Sequence, residues 1–386
     1  MAMEAKYGPS RRAELGRQLA YSMALDPGRG LDPIALAGSA VFRPLRALGG
    51  VRPEPWVIDA NELYGAVLHT ARTGKSNLLA RAASAGLITW YIAEHAANEV
   101  DEHLDEWAHD ASVDPAAAWE SWNEIYRPML RLVPGDLADL SFTNDEQRRL
   151  VDLAVRDPDD LPTARLAMAI GARLVTRDGA LLDATYGPGR ISGDHASALI
   201  PTTAALNASG QVRAMEALAL ILSAGLMADL VAVVRRFPLV GFVGVGAAVV
   251  AMGNPDRREH LRTVAGRVWG GLGAGLEVWS SVHQTISEQL ACYEPVTGDL
   301  TSSADELGTP ARPRIVMWML ARRDQADASA ADLTSAWPAS VSGLRSASAT
   351  RSILRTREVF TETTSGRFQL GTALGQPRRA QQPVLR

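Results

Sequence analysis

Along residues 157–183 the apolar positions recur first at helical spacing and then as a short unbroken run. Asp159 and Asp160 precede Pro162. Ala164, Ala167, Met168 and Ile170 share one face, Gly171 interrupts, and Leu174 and Val175 lead to Thr176 and Asp178. This pattern predicts a helix, a tight turn, a strand and an acid at the strand's end. Carboxylates complement the free amides at a helix start, proline fits the first turn, and glycine takes the left-handed conformation that stops the helix. Such a strand delivers Thr176 and Asp178 to its C-terminal edge, where open α/β sheets bind ligands.

The same alternation of apolar run and acid occurs upstream. Residues 56–63 open with an apolar run from Trp56 that ends in Asp59, with Asn61 two positions on and an amphipathic helix following. Residues 87–93 predict a second strand feeding a helix that turns Val100, His103 and Leu104 inward, carries Glu99, and leaves Glu102, Asp105 and Glu106 to solvent. HTARTGKS at residues 69–76 lacks the first glycine of a phosphate-binding loop and lies within a helical pattern, which excludes that site. Trp119, Trp122 and Tyr126, at helical spacing with Met129 and Leu130, predict a packed face, with a stacking platform for bases as the alternative.

Hydropathy divides the rest of the chain. Residues 1–55 form an N-terminal arm with predicted helices at 12–25 and 34–48 and scattered arginines suited to a solvated face. Residues 205–292 form a helical region. Within it, 217–234 hold Asp229 as the only charge and 237–253 hold none, with Arg235 and Arg236 between. A buried helical pair is the expectation, and a membrane hairpin in contact with lipid is the alternative, since both segments reach only the lower limit for spanning a bilayer and Asp229 is costly in lipid. Residues 293–310 are rich in Gly, Thr, Ser, Asp and Pro and read as a linker.

Beyond the linker, residues 313–322 predict a helix with Ile315, Val316, Met319 and Leu320 inward. A short helix at 330–337 and a third at 341–355 follow, then a hairpin at 359–371 around Ser365 and Gly366. Three helices and a two-stranded ribbon resemble a winged helix-turn-helix module over 311–372, with 373–386 a disordered tail. That resemblance implies a nucleic-acid contact through Arg345, Arg351 and Arg355 on the third helix and Arg367 on the wing, with a protein partner as the equal alternative.

Composition narrows the chemistry. The chain has 386 residues and a net charge of −4, so any nucleic-acid contact must come from local patches. Its single cysteine, Cys292, excludes an intramolecular disulfide framework and a cysteine zinc site, and points to a reducing, cytoplasmic setting, with membrane association as the alternative. The charged N-terminal stretch has no continuous apolar core of the kind a signal peptide needs.

Asp59 in VIDAN, Glu99 in the helix after the second strand, Asp160 in DDLPTARLA and Asp178 in LVTRD resemble, in order and spacing, the acidic quartet of the PIN-domain nucleases. The resemblance covers residues 56–186, within an expected nuclease domain of 56–190. It implies an α/β fold with a parallel sheet flanked by helices, a cluster of these four acids holding Mg²⁺ or Mn²⁺, and metal-dependent hydrolysis of RNA. Asn61 and Thr176 are then expected to hydrogen-bond the ligands. Four carboxylates in one cleft raise one another's pKa, and oxygen-only donors suit such cations. The competing expectation is a catalytically inert scaffold acting as a regulator through its C-terminal module. A homo-oligomer is expected in either case.

Overall fold

The computed structural model describes residues 52–200, 293, 300, 312–323, 327–338 and 346–375, apart from residues 136, 198, 199 and 365. The chain divides into two compact units, and every described residue belongs to the unit made of Ala20–Ser209 and Gln289–Arg386. The predicted arm helices and residues 217–253 lie outside the described residues, and so does Arg345. None of the described helices is long and apolar enough to cross a membrane.

The centre is a five-stranded, mostly parallel sheet. β1 (Glu54–Ile58) leads into α1 (Ala60–Thr73) and α2 (Leu78–Ser84). β2 (Ile88–Ala93) feeds α3 (Glu94–Asp110) and α4 (Pro115–Glu120), and β3 (Leu130–Val133) precedes α5 (Asn144–Arg156) and α6 (Leu161–Ile170). β4 (Arg173–Val175) and α7 (Gly179–Tyr186) complete this part. β1 pairs in parallel with both β2 and β4, and β2 with β3. Helices pack against such a sheet, so β1 and β2 read as nearly continuous apolar runs, and Trp56, Val57, Ile58, Trp90 and Ile92 are fully buried. β4 lies at one edge of the sheet, where the Tyr186 hydroxyl accepts the Leu174 amide at 2.8 Å.

The C-terminal residues add α8 (Arg312–Ala321), β5 (Asp327–Ser329), α9 (Ala330–Ser335), α10 (Ala347–Thr356), β6 (Phe360–Thr364), β7 (Arg367–Leu370) and β8 (Thr372–Ala373). β5, β7 and β6 form a small antiparallel sheet in that order, while β8 pairs antiparallel with β3 and closes the other edge of the large sheet. α8 packs on α6. Its apolar face holds a charge: Arg314 is buried and makes paired hydrogen bonds to Glu146 of α5 at 2.8 and 2.9 Å, a third to the Met168 carbonyl at 3.0 Å, and a cation–π contact with Phe142. Glu146 also closes the capping box of α5 with Thr143. Arg322 donates to the carbonyls of Ile170 and Gly171, so two arginines satisfy the C-terminal carbonyls of α6.

Several expectations are corrected, and the stacking-platform alternative at Trp122 and Tyr126 falls in favour of the packed face. Leu130 opens a strand rather than continuing a helix, because the chain leaves α4 through one π-helical turn at Ser121–Tyr126 and a 3₁₀ turn at Arg127–Met129. Trp122 and Tyr126 are fully buried, and the Tyr126 hydroxyl engages Thr70 and the Ala66 carbonyl, so these rings pack the core and offer no face to a base. His103 is exposed on α3 while Val100 and Leu104 point inward. Tyr293, at the start of the expected linker, is fully buried, edge-on to Tyr186 and near the Arg173 guanidinium. Arg367 lies on β7 of the hairpin, where it pairs with Asp327 of β5.

Candidate active site

Adjacency of β1 and β4 brings two acids together at the C-terminal edge of the sheet. Asp59 follows β1 as the N-cap residue of α1, and its amide donates to the Val175 carbonyl at 3.1 Å. Asp178 follows β4 and caps α7, its Oδ1 accepting the Leu181 amide at 2.9 Å. Thr176 links them: its hydroxyl donates to Asp59 Oδ2 at 2.9 Å and accepts the Asp178 amide at 3.0 Å. Thr176 therefore touches the side chain of Asp59 directly. Asn61 is exposed on the first turn of α1 and is not among the described groups that hydrogen-bond Asp59.

Asp160 arrives from a third element. It precedes α6, whose proline sits in the first turn and whose Gly171, at φ 56°, takes the left-handed conformation that ends the helix. Its side chain does not cap α6. Glu99 comes from the middle of α3 and is half-buried.

The electrostatics join these four positions. Burial raises Asp59 from 3.8 to about 6, and Glu99 and Glu62 add to the rise while the Thr176 hydroxyl opposes it. Burial likewise raises Asp160 to about 7, reinforced by Asp59, Asp157, Asp178 and Glu99. Glu99 is raised by burial, against the lowering influence of His95 and His103. The strongest charges acting on Asp160 are all carboxylates, as expected where acids from separate elements share one cleft. Among the described residues no three His, Cys, Asp or Glu side chains stand close enough together to ligate one ion as they are. The donor set itself, oxygen atoms of acids whose charges repel, fits a hard divalent cation.

Sequence reasoning missed four neighbours of this cluster. Glu62 lies one turn along α1 from Asp59 and pairs with Arg177 at 2.9 Å. His95 stands 3.9 Å from Asp159, and Asp157 contributes to the potential at Asp160. A signal existed for two of them: Glu62 is three residues after Asp59, and His95 is four residues before Glu99, spacings that share a helix face.

Residues 57–187, about a third of the chain, match the family model of the PIN domain. That span begins within β1 and ends just after α7, so it contains all four acids. The match supports a nuclease-type fold for this region. No curated protein and no solved structure matches the chain.

Proposed function

We propose that the chain is a divalent-cation-dependent ribonuclease that hydrolyses RNA phosphodiester bonds at the cluster of Asp59, Glu99, Asp160 and Asp178. The observation that carries this reading is the meeting of the buried Asp59 with Asp178 across Thr176 at the sheet's C-terminal edge, with the half-buried Asp160 near enough that Asp59, Asp178 and Glu99 all push its pKa up and no basic partner among the described residues offsets them. Acids held this way lose their mutual repulsion when a cation shares them. When bound by Asp59, Glu99 and Asp160, with Asp178 direct or through water, Mg²⁺ or Mn²⁺ would supply a polarised phosphoryl oxygen and an activated water. The chain's own contribution is orientation. Thr176 fixes Asp59 through Oδ2, and capping of α7 engages only Oδ1 of Asp178. Since PIN domains are generally nucleases, the match over residues 57–187 supports the same reading.

The test uses the full-length chain with labelled RNA and, in parallel, DNA, in Mg²⁺, Mn²⁺ or chelator, beside Asp59→Asn and Asp160→Asn. Cleavage of RNA that needs the cation and falls by at least about a hundredfold in both variants is the expected result. Equal cleavage by wild type and both variants overturns the assignment, and the DNA arm decides which polynucleotide is the substrate.

A second role is favoured by the C-terminal elements. Helix, strand, two helices and a hairpin, with β7 between β5 and β6, follow the order of a winged helix, and Arg351 and Arg355 are exposed on α10. A duplex-binding role for α10 predicts that Arg351→Ala with Arg355→Ala weakens binding to duplex DNA and leaves RNA cleavage intact.

A further inference from the structure

We infer that Arg177 grips a backbone phosphate of the substrate, and that Glu62 holds its guanidinium until substrate arrives. This rests on the ribonuclease reading and deepens it. A cleft lined by carboxylates repels a polyanion, so an anionic strand needs a cation at its mouth to dock. Arg177 adjoins the acids, between Thr176, which donates to Asp59, and Asp178.

Its backbone is fixed and its side chain is not. On one side the Asp178 amide is tied to Thr176 Oγ1. On the other, Gly193 approaches so closely that a Cβ there would lie 2.2 Å from the Arg177 carbonyl oxygen. The Arg177 side chain is 71% exposed, whereas its partner Glu62 is 21% exposed. The pair meets through Nε at 2.9 Å, and Nη1 and Nη2 make no hydrogen bond to a described residue. An ion pair open to solvent on its cationic side is weak, and a phosphate offers the planar guanidinium a two-pronged contact that Nε alone does not make with Glu62. Glu62 is thus a fixed anion from which a movable cation can swing.

The experiment measures kcat and KM of the full-length chain on labelled single-stranded RNA with Mn²⁺ over a range of salt, for wild type, Arg177→Gln, Arg177→Lys and Glu62→Gln. Arg177→Gln is expected to raise KM about tenfold with little change in kcat, and to flatten the dependence of log(kcat/KM) on log salt by roughly 0.7, the share of one phosphate contact on a single strand. Arg177→Lys recovers part of the loss. Glu62→Gln, which releases the guanidinium, leaves KM at or below that of wild type. If Glu62→Gln and Arg177→Gln raise KM alike, the pair merely braces the loop after β4 and the inference fails. An unchanged KM and salt slope in Arg177→Gln, with wild type active, overturns it and leaves the ribonuclease reading standing. Absence of cation-dependent cleavage by wild type overturns both.

Discussion

Two parts of this fold bury carboxylates, with opposite results. At the seam between α5 and α8, burial pushes Glu146 upward, but the hydrogen bonds and charge of Arg314, helped by Thr143, outweigh it and hold the acid below its usual range. At the C-terminal edge of the parallel sheet, burial pushes Asp59 and Asp160 upward and neighbouring acids push further. The seam is complete in itself. The cluster keeps unrelieved repulsion, a cost that a purely structural site would shed by pairing or by losing its charges.

Arg314→Ala sharpens the contrast most. It strands Glu146 as a buried unpaired charge and is expected to destabilise the chain by about 3–5 kcal/mol in denaturant unfolding. Replacing both partners with apolar residues should cost much less. A loss near zero for Arg314→Ala would mean that the seam is not what joins α8 to α5 and α6. The pair's contribution is present above 4.5, the ordinary value for Glu146, and is lost as pH falls through its lowered folded value.

Asp59→Asn should do the reverse. The folded state holds the Asp59 proton more tightly than the unfolded chain, so the stability of the cation-free protein falls as pH rises from 3.8 to about 6, and Asp160 extends the fall to about 7. Removing the Asp59 charge is expected to stabilise the cation-free chain at pH 8 by about 3 kcal/mol, and to have no such effect below the unfolded value. Thermal melts against pH, with chelator and with Mn²⁺, check the sign. In wild type the cation should recover stability that Asp59→Asn already has. Destabilisation by Asp59→Asn at pH 8 would make the carboxylate a structural group.

Thr176→Val is a smaller change. It removes the hydroxyl that lowers Asp59, costs about 1 kcal/mol, and should move Asp59 further upward, so that cation binding shifts to higher pH. The smallest effect is expected of Asn61→Ala, which alters an exposed residue and should change stability by less than about 0.5 kcal/mol, leaving cation binding unmoved in the same melts.

The elements that bear the site were legible because local rules specify them. Pro162 and Gly171 bound α6 as helix-terminus rules require, and the apolar runs before Asp59 and after Leu87 became β1 and β2. β3, β5 and β8, of four, three and two residues, were missed because so short a run establishes no period by itself; β4 is as short, but Gly171 before it and Asp178 after it marked its place. Arg314 was passed over because a charge within an apolar helical face has no local explanation. Its partner Glu146 lies 168 residues earlier.

Sequence alone determined which residues could form the strands and helices and which acids stand at their ends, since periodicity, caps and breakers act between neighbours a few positions apart. Tertiary structure alone decided that β4 lies beside β1, so that Thr176 reaches Asp59 across 117 positions, that Arg177 finds Glu62, and that Arg367 turns to Asp327. Those outcomes depend on strand order and on which charges are desolvated together. Both belong to the folded whole, because burial and Coulomb forces respond to distance in space and not to separation along the chain.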